Sequence, residues 1–144
     1  MTFAPEALAA LLLPPQPALP QSPLPRAAVL LLISAAPQPH TLLTLRSADL
    51  PTHPGQISLP GGLLSAQDSS MEAAALREAQ EETGLDPQRV RLLGRLPQVQ
   101  VASGVEVTPV VGWTQEWPSL QPDPREVAAI IPCPLQQIDR KSVV

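Results

Sequence analysis

Residues Met71 to Thr83 constrain the fold most, because they predict a helix with one small, apolar face and one face crowded with carboxylates. The segment is a run of strong helix formers, Ser69 or Ser70 precedes it as a possible N-terminal cap, and Gly84 follows as a suitable C-terminal cap. The inner face is expected to carry residues small enough for close packing against a sheet, namely Met71, Ala74, Ala75 and Ala79.

Three glutamates, Glu78, Glu81 and Glu82, lie on successive turns of this predicted helix. Glu78 and Glu82 are four positions apart and therefore project from the same side. Carboxylates at this spacing repel one another, and Arg77, which can pair with Glu81 at i, i+4, cannot compensate three charges. A hard divalent cation such as Mg²⁺ is the natural partner of all-oxygen ligands. The alternative is a solvated acidic face, which is common on helices.

A pair of glycines, Gly61 and Gly62, precedes the acidic patch, which begins at Arg77. Glycine lets the backbone approach a ligand or a neighbouring helix without a Cβ atom in the way. A metal ion held by few carboxylates keeps positions open for water and phosphate oxygens, and it lowers the pKa of the bound water. A further carboxylate can accept the proton of that water. The pattern therefore suits hydrolysis of a phosphoanhydride.

The overall charge argues against a nucleic-acid-binding surface. The net charge is -4, from 9 basic and 13 acidic residues, and no basic stripe is available to neutralise a phosphate backbone. Cys133 is the only cysteine, so no intrachain disulfide is expected. The apolar run from Ala27 to Ile33 is too short to span a bilayer, and no basic region resembling a signal peptide precedes the first apolar stretch. A cytoplasmic protein without a membrane segment is expected.

Hydrophobic periodicity predicts a layered α/β or α+β domain. An N-terminal helix (5–13) and a proline-rich connector (14–25) form a first segment, residues 1–25, which precedes the main domain at residues 26–144. Further helix is expected only as one turn at 134–138, and residues 63–70 are expected to form a loop. Predicted strands occupy residues 27–33, 41–46, 56–59, 90–96, 105–113 and 127–131.

Gly62 followed by Arg77-Glu78-Ala79-Gln80-Glu81-Glu82-Thr83-Gly84-Leu85 resembles the Nudix box. The second half of the motif matches at every fixed position. The first half departs from it, because the spacing from Gly62 to Arg77 is one residue longer than in the common motif. No glutamate occupies the early acidic position either: Asp68 is the nearest acid, and Ser69 stands where the register places that glutamate.

The longer spacing is similar to that of the coenzyme A pyrophosphatase branch of the Nudix hydrolases. The signature of that branch resembles Leu42-Leu43-Thr44-Leu45-Arg46-Ser47, then Gly55, then Leu59-Pro60-Gly61-Gly62. Two positions depart from it, since Pro51 stands in place of an arginine and Leu59 in place of a phenylalanine. The resemblance extends over about residues 26–138.

This resemblance implies an α/β/α sandwich with a mixed sheet, in which the box forms a loop-helix-loop. The C-terminal helix usual in the family is apparently lacking. A sheet face is then left for a homodimer partner or for residues 8–13 to cover, or it stays uncovered.

The activity implied is hydrolysis of the pyrophosphate of coenzyme A or its acyl derivatives, giving 3′,5′-ADP and 4′-phosphopantetheine, with Mg²⁺ or Mn²⁺ as cofactor. Metal ligands would be Glu78, Glu82 and Glu81. The catalytic group would comprise Glu82, Glu81 as a possible base, and Arg77 as the ion-pair partner that positions a glutamate. Substrate would lie near Arg46, Ser47, Gly61 and Gly62.

Several alternatives remain open at this point. Pro51 slightly favours another nucleoside diphosphate derivative, such as ADP-ribose or a dinucleotide, and a Nudix-fold binding module without activity is a further reading. Glu126 is either an additional ligand or base or an exposed residue at the start of a strand. Trp113 and Trp117 either stack on an adenine ring or pack against neighbouring side chains. Packing is the more common role for residues at a strand end.

Overall fold

The structure is a computed structural model that describes residues 4–15, 25–36 and 38–137. Two α-helices and eight strands occur in these ranges, together with two 3₁₀ turns at Pro87–Arg89 and Leu135–Gln137. The elements are α1 (Pro5–Ala9), β1 (Arg26–Ala36), β2 (His40–Arg46), β3 (Ile57–Ser58), β4 (Gly61–Leu63), α2 (Met71–Thr83), β5 (Arg91–Arg95), β6 (Val99–Gln100), β7 (Glu106–Glu116) and β8 (Val127–Pro134).

The strands form one mixed sheet in the order β3-β2-β1-β7-β5. β1 and β7 pair in parallel over their whole length, from Arg26 opposite Glu106 to Ala36 opposite Glu116. All other pairs are antiparallel: β4 joins the first half of β1, β6 joins β7, and β8 joins β2. The two central strands are near-continuous apolar runs because both of their faces are covered.

Two apolar cores lie on opposite faces of this sheet, since successive residues of a strand point to opposite sides. Leu30 and Leu32 of β1 pack with α2, whose predicted inner residues Met71, Ala74, Ala75 and Ala79 are all fully buried. Ile33 and Trp113 belong to the second core, against which α1 packs. The expected α/β/α layering, with a mixed sheet and a loop-helix-loop, is confirmed.

The N-terminal segment covers part of the second sheet face. Coverage by residues 8–13 was one of the three predicted alternatives. Leu8 and Leu12 pack against the cluster around Ile33, and Leu13 exchanges two backbone hydrogen bonds of 3.0 and 2.7 Å with Arg95. The helix was predicted to reach Leu13 but ends at Ala9, because Leu13 pairs with β5 in an extended conformation. Coverage by a homodimer partner stays a prediction, as does the division at residue 25.

Most other predicted elements are present with shifted ends. α2 has the predicted bounds, whereas β1 and β8 run longer than expected. The loop predicted at 63–70 begins one residue later, because Leu63 pairs with Ala27 as the last residue of β4. The turn predicted at 134–138 is a 3₁₀ turn at Leu135–Gln137, and residue 138 lies outside the described ranges. None of the described helices is long and apolar enough to cross a membrane.

Candidate active site

Local capping explains why the acidic helix α2 begins and ends where it does. Ser70 is the N-terminal cap, and its Oγ accepts a hydrogen bond of 3.0 Å from the backbone N–H of Ala73. Gly84 adopts the left-handed conformation at φ 74°, and its N–H donates to the carbonyl of Gln80. These caps fix the register of the helix, and therefore the direction in which its glutamates point.

The glycine pair brings the backbone of β4 against two of those glutamates. A Cβ atom on Gly62 would lie 2.7 to 2.9 Å from the carboxyl atoms of Glu78. The N–H of Gly61 donates a 2.9 Å hydrogen bond to Oε1 of Glu82, and a Cβ atom there would lie 2.3 Å from the carbonyl oxygen of Ala28. Only glycine fits these two positions without displacement, so the predicted role of the pair in close approach has a direct geometric basis.

Burial and like charge act together on the two carboxyls. Burial is the main cause that raises the pKa of Glu82 from 4.5 to about 7; the hydrogen bond from Gly61 opposes this shift, and the negative charges of Glu78 and Glu126 add to it. Burial also raises the pKa of Glu78, where the positive charge of Arg77 opposes the shift. These carboxyls therefore occupy a site where added positive charge would be strongly favourable.

Arg77 joins the loop after β4 to the glutamates of α2. Its Nε and Nη2 donate to the two carboxylate oxygens of Asp68 at 2.8 and 2.9 Å. Its Nη1 donates to Glu78 at 3.0 Å and to Glu81 at 3.2 Å, so the i, i+4 pair predicted from the sequence is present. Asp68 is buried, and the hydrogen bonds from Arg77 are the main cause that lowers its pKa.

Asp68 is the residue that the comparison with the Nudix box passed over. The motif register falls on Ser69 when it is counted backwards from Arg77, whereas the acid that pairs with Arg77 is Asp68. Counting forwards from Gly62, past five intervening residues, leads directly to Asp68. The extra residue of the longer spacing therefore lies between Asp68 and Arg77, and the loop before the acid keeps its usual length.

Glu81 differs from the other two glutamates, since half of its side chain is exposed and it is held by Arg77. Across residues 4–15, 25–36 and 38–137, no three side chains of His, Cys, Asp or Glu are already arranged around a point that could hold a metal ion. The donor chemistry nevertheless fits a hard divalent cation: Glu78 and Glu82 supply carboxylate oxygens whose mutual repulsion such an ion would relieve. The predicted metal and catalytic roles of Glu78, Glu81 and Glu82 stay predictions.

The end of β2 lies at the same site. Arg46 is close enough for its positive charge to lower the pKa of Glu82. Its guanidinium donates to the carbonyl oxygens of Thr52 and His53 at 3.0 and 3.2 Å, and so holds the following loop. Ser47 is buried, and its N–H donates a 2.9 Å hydrogen bond to the carbonyl oxygen of Glu126. Arg46, the last residue of β2, therefore lies near the carboxyl of Glu82, and Ser47, the next residue, is bonded to the backbone of Glu126.

Glu126 reaches the site because the segment before β8 wraps around the end of α2. The backbone N–H groups of Gln121 and Asp123 donate to the carbonyl oxygens of Thr83 and Glu82 at 2.7 and 3.0 Å. The side-chain charge of Glu126 then lies close enough to raise the pKa of both Glu78 and Glu82. The additional-ligand or base role of Glu126 stays a prediction.

A surface depression lies away from these residues. It has a volume of about 1030 Å³ and is lined by residues after α2 and at the end of β7, among them Gly84, Arg89 and Trp117. None of the predicted metal ligands lines it, so this depression is separate from the site at Glu78, Glu81 and Glu82. Trp113 packs in the core of the α1 face. Trp117 packs against the α2 core, and its ring lies in a T-shaped arrangement with that of His40.

The sequence of this chain matches that of the NUDIX domain over residues 23–143. It is 46% identical over 111 residues to a protein of Photorhabdus laumondii named uncharacterized Nudix hydrolase NudL, which covers 77% of this chain and 59% of that protein. The NudL of Pectobacterium atrosepticum is 46% identical over 112 residues, covering 78% and 58%. The chain thus spans less than two thirds of the length of these curated relatives.

Solved structures show the same fold. A Nudix hydrolase from M. smegmatis, RenU, superposes with a TM-score of 0.65 at 25% identity, covering 78% of this chain and 71% of that one. The NUDIX domain of Shewanella oneidensis NrtR, solved with ADP ribose, has a TM-score of 0.60 at 22% identity, covering 81% and 76%. The Ap4A hydrolase of C. elegans has a TM-score of 0.65 at 19% identity, covering 76% and 80%. Fold and sequence agree, and this chain belongs to the Nudix hydrolase family.

Proposed function

We propose that this protein hydrolyses the pyrophosphate bond of coenzyme A or its acyl derivatives to 3′,5′-ADP and (acyl-)4′-phosphopantetheine, with Mg²⁺ or Mn²⁺ as cofactor. The observation that carries the proposal is the position of Arg46 and Ser47. These residues belong to the segment that resembles the coenzyme A branch, and they adjoin Glu82 and Glu126, respectively. A cation at this point suits a substrate rich in phosphate.

The surroundings of the glutamates support a separate role for each in metal binding or proton transfer. Glu78 and Glu82, with Glu81, would hold the divalent ion, which supplies charge neutralisation at the phosphate oxygens and a water of lowered pKa. Glu81 is half exposed and oriented by Arg77, so its carboxylate is available to accept a proton from the attacking water. Glu126 is the second candidate for that proton.

The backbone also contributes. Because Gly61 and Gly62 carry no Cβ atom, the strand lies directly against Glu82 and Glu78, and a diphosphate can approach the carboxylates along the same edge. Arg46 would attract the phosphate groups, as its guanidinium is the cation whose charge acts on Glu82.

A second candidate function is hydrolysis of another nucleoside diphosphate derivative, such as ADP-ribose or a dinucleotide. It is favoured by Pro51, which removes a cation that the coenzyme A signature places near the phosphates. A third candidate is an inactive binding module, which the absence of the early glutamate of the motif would favour. Asp68 supplies a carboxylate that pairs with Arg77 in its stead.

A substrate panel tests the proposal. The protein is incubated with coenzyme A, acetyl-coenzyme A, ADP-ribose and a dinucleoside polyphosphate, with Mg²⁺ or Mn²⁺, and products are identified by mass spectrometry. We expect 3′,5′-ADP from the two coenzyme A compounds, and a loss of at least a hundredfold in rate for Glu78→Gln or Glu82→Gln. Glu116→Gln, an exposed glutamate at the far end of β7, is the control and should retain full activity.

The other outcomes separate the alternatives. Cleavage of ADP-ribose or the dinucleotide, with coenzyme A intact, would show that the substrate assignment is wrong. Calorimetric binding of a nucleotide in the presence of Mg²⁺, without turnover of any compound in the panel, would support the binding module instead.

A further inference from the structure

We infer that the depression at the C-terminal end of α2 is a second binding site, which takes an uncharged nucleoside. Its volume is about 1030 Å³, and Gly84, Thr114 and Trp117 are among the residues that line it. Ligand pockets in proteins commonly measure about 300–1,000 Å³, so the depression can hold a nucleoside. Because no residue of the carboxylate site lines it, the inference stands apart from the proposed hydrolase function.

A row of polar side chains crosses three strands of the sheet and ends at the depression. Ser34 of β1 lies opposite His40 of β2 on one side and opposite Thr114 of β7 on the other. Since strand residues two positions apart share a face, Ser34 points to the same side as Leu32, which is the side covered by α2. The apolar core of this face therefore gives way to polar side chains where the depression opens.

Two hydroxyls of this row are buried without a hydrogen-bond partner among the described residues. Thr114 is 5% exposed and Ser34 is fully buried, and neither Oγ1 of Thr114 nor Oγ of Ser34 is paired. A buried hydroxyl without a partner costs stability, and such groups are rare in folded proteins. Thr114 belongs to the lining of the depression, so a polar atom of a ligand bound there would supply the missing partner.

Other lining residues match the parts of a nucleoside. Trp117 is only partly buried, and its indole offers an aromatic surface on which a base can stack. The side-chain amides of Gln88 and Gln115 are exposed, and each can donate and accept hydrogen bonds at the edge of a base. The carboxylate of Asp86 can accept from ribose hydroxyls, as acidic residues do in dinucleotide-binding folds.

The charge of the lining favours a ligand without phosphate groups. The lining contains two carboxylates and one guanidinium, that of Arg89, so its net charge is negative. A phosphate group would be repelled overall, whereas an uncharged nucleoside meets no such penalty. The depression therefore differs in its ligand chemistry from the site at Glu78 and Glu82, which is proposed to take a diphosphate together with a metal ion.

Titration with adenosine, in EDTA and without substrate, tests the inference through the nuclear magnetic resonance signals of the indole N–H groups. Trp113 and Trp117 are the only tryptophans of the chain, and Trp113 is 5% exposed in the core of the α1 face. Adenosine should shift the signal of Trp117 and leave that of Trp113 in place, and Trp117→Leu assigns the two signals. AMP should bind at least about fivefold more weakly than adenosine.

Two threonines provide matched variants for the hydroxyl. Thr114→Val removes the unpaired hydroxyl at the depression, and Thr41→Val removes one that is equally unpaired but lies opposite Ile33, on the α1 face. Neither change should lower the urea midpoint of unfolding, because a methyl group replaces a buried hydroxyl that has no partner to lose. Thr114→Val should weaken adenosine binding about 3- to 10-fold, and Thr41→Val should leave it unchanged.

The inference is overturned if adenosine does not shift the Trp117 signal, or if Thr114→Val and Thr41→Val bind adenosine equally well. It is also overturned if AMP binds as tightly as adenosine, or if Glu78→Gln abolishes the shift, since adenosine would then occupy the carboxylate site. Any of these results would leave the proposed hydrolysis untouched, because the titration contains neither a metal ion nor a diphosphate substrate.

Discussion

Glu82 accepts a 2.9 Å hydrogen bond from the backbone N–H of Gly61, which ties the C-terminal half of α2 to the strand β4. The carboxyl is buried, with 6% of the residue exposed, and its pKa is raised from 4.5 to about 7, chiefly by that burial. The hydrogen bond fixes the position of the carboxyl, while its surroundings make the negative charge costly. Burial of this negative charge lowers the stability of the fold, as is typical of functional sites.

The first prediction concerns this cost. A carboxyl with a raised pKa binds its proton more tightly in the folded state, so stability is lost as the pH rises from about 4.5 to about 7 and stays lost above that. Without divalent ions, Glu82→Gln should therefore be more stable than the unaltered protein at pH 8, by roughly 2 to 3 kcal/mol, and no more stable at about pH 4.5. Urea denaturation in EDTA at both pH values measures it. An equal difference at both would contradict the assignment.

The two glycines should respond differently to alanine. In Gly62→Ala the new Cβ would lie 2.7 Å from the carboxyl carbon of Glu78, at the end of a flexible side chain that can move. We expect the free energy of unfolding to change by less than about 1 kcal/mol and hydrolysis to fall at least tenfold, because Glu78 is displaced. In Gly61→Ala the Cβ would lie 2.3 Å from backbone oxygen of Ala28, which cannot move alone. A loss of about 1–3 kcal/mol is expected there. Thermal unfolding and turnover of both variants separate the two effects, and a reversed order would refute the geometry.

Removing one partner of the buried pair between Glu72 and Arg95 should destabilise the fold more than replacing both partners. Glu72→Gln leaves an uncompensated buried arginine, for which a cost of about 3–5 kcal/mol is typical. Replacing both residues by apolar ones, Glu72→Met with Arg95→Met, should cost much less than the single change. Urea unfolding of the single and double variants provides the comparison. A double variant as unstable as Glu72→Gln would mean that the pair itself stabilises the fold.

Glu126 should affect the site through its side chain alone. Glu126→Gln keeps the backbone carbonyl that accepts from Ser47, so the fold should be retained. Loss of its negative charge should bring the pKa of Glu82 closer to 4.5, because that charge is one of the causes of the shift. The stability gain of Glu82→Gln at pH 8 should then be smaller in a Glu126→Gln background. An unchanged gain would show that the two carboxyls are not coupled.

Local signals were enough to predict the acid-rich helix α2. The bounds of α2 follow from residues inside or next to it, since Ser70 caps its start and Gly84 its end. The buried strands β1 and β7 were likewise found from their apolar runs, although their ends were placed several residues too short. A strand end depends on its partner, and the partner is not visible in the strand itself.

Features that depend on distant contacts were missed. β6 is two residues long and exists only because Val99 and Gln100 pair with β7. α1 ends early because Leu13 pairs with Arg95, more than eighty positions away along the chain. The register counted from Arg77 does not single out Asp68, whereas its burial and its bidentate contact with Arg77 identify it at once.

The sequence alone determined the capped, acid-rich helix, the two central strands and the family, because each is encoded in neighbouring residues whose spacing is set by backbone geometry. The tertiary structure decided which charges meet. Asp68, Arg46 and Glu126 come from three different loops or strand ends, and they gather around Glu78 and Glu82 only when β4 and the segment before β8 close against α2. Electrostatic effects depend on distance and burial, and neither quantity can be read from the order of residues in a chain.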